Sequence, residues 1–300
     1  MRVLFLCALL LSGCASADPV PTSSCPPISG AVMPDGIVSP PPVSPSVEPA
    51  VPLTNCIEQA LLQIAARLPD ERTSERTRAK AAYDYVIENT WFGPPVGLTV
   101  WQIRGEAKPP DYLENRALSP LLFGIGACED YAAALTLLLR QLGLSARYVP
   151  GLTVSIEGAF VDHAWVVVQI DDRWFHLDPQ LEDNVMRGRQ LTYRYFLKSD
   201  QAMLADHRWG ENLIACAGFT AEQIEQVRAL WSPPACPCDA PAEPPRAITK
   251  CVCPDRAALE RALTEETAQY ERRHGPLALP RIDTITPPVF ERAGYGNPAY

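Results

Sequence analysis

His163-Ala-Trp-Val-Val-Val-Gln-Ile-Asp171-Asp172-Arg-Trp-Phe-His-Leu-Asp178-Pro179 reads as two strands, 163–170 and 173–178, joined by Asp171-Asp172. If those two residues are the whole turn, residue 170 faces 173 and residue 165 faces 178. His163 and Asp178 are then diagonal neighbours on one sheet face, about 7–8 Å apart at the backbone and within side-chain reach. One extra residue in the turn would put them on opposite faces. A two-residue hairpin turn prefers Gly at its second position, but Asp also tolerates the left-handed conformation. An ordinary hairpin with a solvated histidine is the plain alternative.

Upstream lies Gly124-Ile-Gly-Ala-Cys128-Glu-Asp-Tyr-Ala132. The glycines break the chain, and Ala132, Leu135, Leu138, Leu139 and Leu142 then recur at helical spacing, with Gly143 as the stop. Ala134 and Leu137 fill the other side, so the helix is expected to be buried nearly all round. Cys128 falls in its first turn, where free N–H groups and the helix dipole favour a thiolate and can stabilise an oxyanion. Glu129 and Asp130 oppose that charge unless they point away. A buried, inert cysteine is the reading that Cys128 alone would receive.

Together these segments resemble the core of the transglutaminase-like superfamily, relatives of the papain-like cysteine enzymes. The likeness lies in a Gly-x-Cys-x-x-Tyr-Ala helix start, a His-Ala-Trp strand and a Leu-Asp-Pro strand end, all present here in that order. The leader 117–126, the strand 146–151 and the segment Tyr195-Phe-Leu-Lys-Ser-Asp200…His207-Arg-Trp209 also resemble bacterial members. The resemblance covers roughly residues 55–212. It implies Cys128 as nucleophile, His163 as base and then acid, and Asp178 as the orienting carboxylate. It implies an α+β, papain-like fold in which N-terminal helices precede a nucleophile helix packed on an antiparallel β-sheet. The Asp-Asp turn departs from the glycine usual in relatives.

The chain has 300 residues, a formal charge of −9 and ten cysteines. Its acidity argues against a nucleic-acid partner and against a polybasic membrane surface. The N-terminus reads Met-Arg followed by a short apolar run ending in Leu11-Ser12-Gly13-Cys14. That pattern resembles a lipoprotein cleavage box, with residues 1–13 as signal peptide and Cys14 as the diacylated first mature residue. Two acyl chains on one cysteine hold a protein firmly at a membrane. The alternative is secretion with cleavage after Ala15-Ser16-Ala17. Residues 15–53 contain eleven prolines and no period, so 14–53 reads as an extended tether. An extracytoplasmic, lipid-anchored location follows.

Residues 54–215 are read as the catalytic domain. Runs 55–68 and 74–90 place Ile57, Ala60, Leu61, Ile64 and Leu68, then Ala79, Ala82, Tyr83, Val86 and Ile87, on single helix faces. Segment 91–116 reads as irregular, its Trp91 and Trp101 more in keeping with core than with cleft lining. Residues 151–162 read as a loop overhanging the site.

Residues 216–300 form a Cys-rich extension with one charged helix, 256–273, and an extended tail. Cys236-Pro-Cys238 and Cys251-Val-Cys253 bracket an acidic, proline-rich stretch. One residue between paired cysteines is tight for zinc, and disulfides persist outside the cytoplasm, so a doubly stapled loop over 236–253 is expected. Cys25, Cys56 and Cys216 complete an odd set of seven.

The function expected is a surface-anchored cysteine enzyme acting on amide bonds, a peptide bond or a glutamine carboxamide, through a thioester, by hydrolysis or amine transfer. The chemistry requires no metal and no organic cofactor. Cell-wall peptides are a substrate suggested by location alone. The competing reading, from another class, is a non-catalytic module that binds a peptide or partner with the same fold.

Overall fold

The computed structural model describes residues 55–97, 99–103, 111–185, 190–216, 219–230 and 232–277. The expected signal peptide and the whole of the expected tether, including Cys14 and Cys25, and the tail beyond 277 lie outside the described residues. Among the described residues no helix is long and apolar enough to cross a membrane.

Helices α1 (Cys56–Ala65) and α2 (Glu75–Asn89) fall where the apolar spacing puts them. Asn55 and Ser74 cap them, each side chain accepting from a backbone N–H in the first turn. Ile57, Leu61, Ile64, Ala79, Ala82, Tyr83, Val86 and Ile87 are all buried in one core cluster.

The segment expected to be irregular holds more structure than its sequence pattern suggests. Strand β1 (Trp91–Phe92) and helix α3 (Val100–Ile103) precede α4 (Tyr112–Phe123), which opens on an Asp111–Glu114 capping box. Trp101 lies in the core, 2% exposed. Strand β2 (Ile125–Gly126) pairs in parallel with β1 and delivers the chain to α5 (Cys128–Gln141). Helix α5 buries every residue from Tyr131 to Thr136, together with Leu138 and Leu139, and Gly143 beyond its end has φ +76°.

Strands β3 (Ala146–Val154), β4 (Phe160–Ile170) and β5 (Arg173–Leu177) follow. Val154 opposes Phe160 and Gly151 opposes His163, so 151–162 is mostly β-hairpin, with a connection at 155–159. The overhanging loop is thereby corrected. Its alternation of Leu152 and Val154 with Gly151 and Thr153 continues the strand period of 146–150, and sheet pairing absorbs it.

The second turn is as expected. Ile170 opposes Arg173, Val168 opposes Phe175, and Asp171 and Asp172 alone close the loop, with φ of 47° and 62°. Positive φ at both central residues is the I′ geometry whose twist matches the strands.

Helix α6 (Pro179–Val185), strands β6 (Gln190–Leu191) and β7 (Phe196–Lys198), helix α7 (Asp200–Met203) and strand β8 (His207–Arg208) come next. The main sheet is antiparallel with strand order β7-β5-β4-β3-β8. Ala164, Val166 and Val168 pack into the core shared with α5. Trp165 and Val167 join Val149, Tyr195, Met203, Trp209 and Cys236 in a second cluster. The fold is α+β, with the cysteine-bearing helix on an antiparallel sheet.

Helices α8 (Gly210–Cys216) and α9 (Ala221–Leu230), the short strand β9 (Arg246–Ala247) and helix α10 (Arg256–His274) complete the described chain. The stretch 236–251 runs across the domain as a strap. Asp200 N donates to Cys236 O, Cys236 N donates to the Asp200 carboxylate, and Ala240 N donates to Leu197 O. Arg246 reaches Asp84 and Glu88, β9 pairs with β6, and Lys250 binds Asp183. Cys251 N then donates to Glu88 O and Trp91 Nε1 to Cys251 O.

The stapled loop expected over 236–253 is not what the structure shows. Cys236, Cys238, Cys251 and Cys253 are free thiols. The strap explains this, because its ion pairs and β9 hold one Cys-x-Cys beside Asp200 and the other beside Glu88 and Trp91.

Candidate active site

Cys128 is the first residue of α5 and is partly exposed. Its neighbours answer the difficulty posed by Glu129 and Asp130. Arg116, from α4, pairs with Glu129 and also with Asp130, its Nε lying 3.0 Å from Oδ1. The other oxygen of Asp130 reaches back to accept the Ala127 N–H at 2.7 Å. Gly126 permits this, since a Cβ there would stand 2.7 Å from Asp130 Cβ. Both acids beside the thiol are therefore engaged by a guanidinium and by the helix start. Burial works against the Arg116 charge, but Asp130 and the surrounding tyrosines outweigh it and hold its pKa above the ordinary value. Burial pushes the Asp130 carboxyl up, with Arg116 opposing.

His163 lies near the start of β4 and is 2% exposed. Its Nε2 is 2.6 Å from Asp178 Oδ2. The imidazole also bonds the Cys128 thiol, and with Nε2 engaged by Asp178 the nitrogen left for sulfur is Nδ1. Burial alone would discourage charge on His163. The Asp178 carboxylate and the bonds to Asp178 and Cys128 outweigh that and raise its pKa to about 10. Asp178 is fully buried, and burial would raise its pKa. The two histidines that bond it reverse this and hold it well below the usual carboxylate range. The three residues singled out by the sequence are thus brought together in one line, sulfur to imidazole to carboxylate.

Local chemistry places Asp178. It follows the last residue of β5 and caps α6, Oδ1 accepting from Leu181 N at 2.9 Å, with Pro179 at the first helical position. Tyr83 Oη donates to the Asp178 carbonyl at 3.0 Å. Beneath it, buried Glu182 accepts from Thr192 N, Thr192 Oγ1, Tyr193 N and Tyr195 N, all within 3.0 Å. Trp165 stacks on the His163 ring, centroids 6.0 Å apart and planes 22° apart. Cys128 alone of the three presents a surface to solvent, so a substrate can meet the sulfur while imidazole and carboxylate stay dry.

Two groups missed by the sequence reading join the site. His207 Nε2 lies 3.0 Å from the same Asp178 Oδ2, and Arg116 pairs with both acids beside the thiol. The resembling segment around Tyr195 and His207 was the available signal for the first. No periodic pattern marks a residue in a two-residue strand, and nothing marks an arginine twelve positions before the cysteine.

Two clusters carry donor types that suit a metal: His163, Asp178 and His207, and separately His176, Asp200 and Cys236. In both the donors are already spent on hydrogen bonds. In the second, His176 Nδ1 accepts from Trp165 Nε1 at 2.9 Å, and its Nε2 faces Asp200 Oδ1 at 2.9 Å. Burial drives the Cys236 thiol far up, away from the thiolate a metal binds.

Residues 62–179 match the family model of the transglutaminase-like superfamily. No curated protein sequence matches the chain. Among solved structures it is similar to a TGase, at 22% identity over 44% of this chain and 31% of that one, with a TM-score of 0.29. It is also similar to a protein described as a candidate cysteine protease from Cytophaga hutchinsonii, at 17% identity over 41% of this chain and 36% of that one, with a TM-score of 0.28. A third is an arylamine N-acetyltransferase from Bacillus cereus with a Cys-His-Glu triad, at 12% identity over 43% of this chain and 51% of that one, with a TM-score of 0.32. The chain spans about a third of the first two and half of the third. The matched residues 62–179 hold Cys128, His163 and Asp178, and over them the chain is similar to a core of the transglutaminase-like superfamily.

Proposed function

We propose that this protein is a cysteine enzyme acting on amide bonds, a peptide bond or a glutamine carboxamide, with Cys128 as nucleophile. The observation that carries the reading is the buried His163–Asp178 pair with the partly exposed Cys128 on the other side of the imidazole.

In this reading the thiol proton passes to His163 and the sulfur attacks the carbonyl carbon. A C–S bond forms and the carbonyl oxygen takes up the negative charge. Backbone N–H groups of the first turn of α5 lack helical partners and can receive that charge. His163 then returns the proton to the departing nitrogen as the C–N bond breaks, leaving a thioester. Water or an amine attacks the thioester, His163 takes the proton of the attacking group, and the sulfur leaves. Asp178 keeps the ring in its working orientation throughout. Transfer and hydrolysis share every step but the last attack.

Surface attachment through Cys14 belongs to the same proposal and rests on the Leu11-Ser12-Gly13-Cys14 box followed by a proline-rich spacer. Cys14→Ser would release the protein from membranes if the lipid holds it there.

The test is incubation of the protein with glutamine-containing peptides, with and without a primary amine, and with Cys128→Ala as control. Ammonia release that depends on Cys128 supports amide chemistry, and amine incorporation distinguishes transfer from hydrolysis. Wild-type protein no better than Cys128→Ala across a broad peptide set would refute the reading.

A further inference from the structure

Asp178 serves two histidines with one oxygen. Its Oδ2 faces His163 Nε2 at 2.6 Å and His207 Nε2 at 3.0 Å, while Leu181 N holds Oδ1 at 2.9 Å. His207 has no exposed surface. It arrives through β8, which pairs with β3 as Thr153 opposite His207. Gly151, opposite His163, makes room for that strand, because a Cβ there would stand 2.3 Å from Arg208 O.

The far side of His207 is just as fixed. Its Nδ1 lies 2.6 Å from Asp206 Oδ1, and Asp206 Oδ2 accepts from Tyr195 Oη at 2.7 Å. Trp165 meets the His207 ring edge-on at 4.9 Å and 71°, and Tyr195 does so at 5.8 Å and 63°. Both partners of the ring are carboxylates, so each ring nitrogen faces a group that accepts when ionised.

We infer that His207, oriented by Asp206, is a positioning residue for the proposed reaction: it anchors the Asp178 oxygen that orients His163 and draws off part of that oxygen's charge. The inference rests on the catalytic reading of Cys128, His163 and Asp178. A side chain that merely filled space would account for the burial, but not for a bond to the one oxygen that His163 uses.

The two roles differ in sign. Two donors on one oxygen share its charge. Without His207, Asp178 acts on His163 alone, and His163 keeps its proton to higher pH. Were His207 only a prop, its loss would leave His163 unmoved or let Asp178 drift from it, releasing the proton at lower pH. The titratable and charged groups around His207 are Asp178 and His176 from the β5 side, His163 from β4, and Asp206, Tyr195 and Arg194 from the segment before β8.

The experiment uses the full chain and needs no substrate. Iodoacetate, an anion, is drawn to a protonated His163, whereas iodoacetamide is not. The ratio of their alkylation rates at Cys128, resolved by peptide mass spectrometry, therefore falls as His163 loses its proton. In the wild type the fall is expected near pH 10, where His163 titrates. His207→Phe keeps the ring volume without a donor and should move the midpoint up by about one pH unit. His207→Gln retains a weaker amide donor and should move it up by less. Should His207→Phe not fold, His207→Gln decides alone. A midpoint that stays put or moves down in the folded variant overturns the inference. A wild-type ratio flat across the whole range sinks the catalytic reading of His163 itself, which separates the two failures.

Discussion

His163 Nε2 and Asp178 Oδ2 meet at 2.6 Å although they stand fifteen positions apart with a reversal of the chain between them. The contact depends on parity. Asp171 and Asp172 close the hairpin as the only two loop residues, both at positive φ, and this puts the two side chains on one face. Inserting one glycine after Asp172 should reverse the face of Asp178 and abolish Cys128-dependent turnover. Asp171→Asn with Asp172→Gly supplies the residues preferred in this turn and should raise stability by about 0.5–1 kcal/mol with turnover retained. Urea denaturation beside the peptide assay checks both. An active insertion variant would show that parity does not control the site.

Arg116 pairs with both acidic neighbours of the thiol. It is mostly buried, and removing one member of a buried ion cluster leaves charge uncompensated. Arg116→Met should cost about 3–5 kcal/mol in denaturant unfolding. It should also slow Cys128 alkylation in the fraction that remains folded, because Glu129 and Asp130 then act on the sulfur unopposed. Alkylation at the wild-type rate would mean that Arg116 serves only the fold.

Glu182 ties the 190–195 segment to α6 by accepting four hydrogen bonds, three of them from backbone N–H groups. Glu182→Ala would strand the Tyr193 and Tyr195 N–H groups in the interior. A loss of at least about 2 kcal/mol is expected, each orphaned group contributing roughly 1–3 kcal/mol. A loss below 1 kcal/mol in urea unfolding would contradict this account of the loop.

Asp162, next to His163 in sequence but on the other face of β4, is half-buried, and burial alone raises its pKa to about 6. Its unfolded value is 3.8. Below pH 4 both states hold the proton and the site is neutral to folding. Above pH 6 the folded state carries a desolvated carboxylate, so stability is lost between those values as pH rises. Asp162→Asn should therefore raise Tm at pH 7.5 and leave it unchanged at pH 3.5. Equal effects at both pH values would rule out this cause.

Much of the site was legible in the sequence because it depends on local rules. Helical spacing located α1, α2 and α5, glycines bounded the cysteine helix, and hairpin parity joined His163 to Asp178. His207 was not legible in that way. It stands in a two-residue strand, and its partners Asp178 and Thr153 are brought to it by tertiary pairing alone. The strap was misread for a related reason. Two Cys-x-Cys pairs look like a closed knot in one dimension, yet Arg246, Lys250 and the β6–β9 pairing stretch the segment between them across the domain. Segment 91–116 carries no long period, and its short elements form through packing, Trp101 among them.

The most direct test of the central claim is the rate at which iodoacetamide modifies Cys128 at pH 6, compared with glutathione and with His163→Ala. If His163 takes the thiol proton, wild-type Cys128 reacts at least about tenfold faster than glutathione, and His163→Ala loses the advantage. Wild-type Cys128 reacting no faster than glutathione would contradict the account.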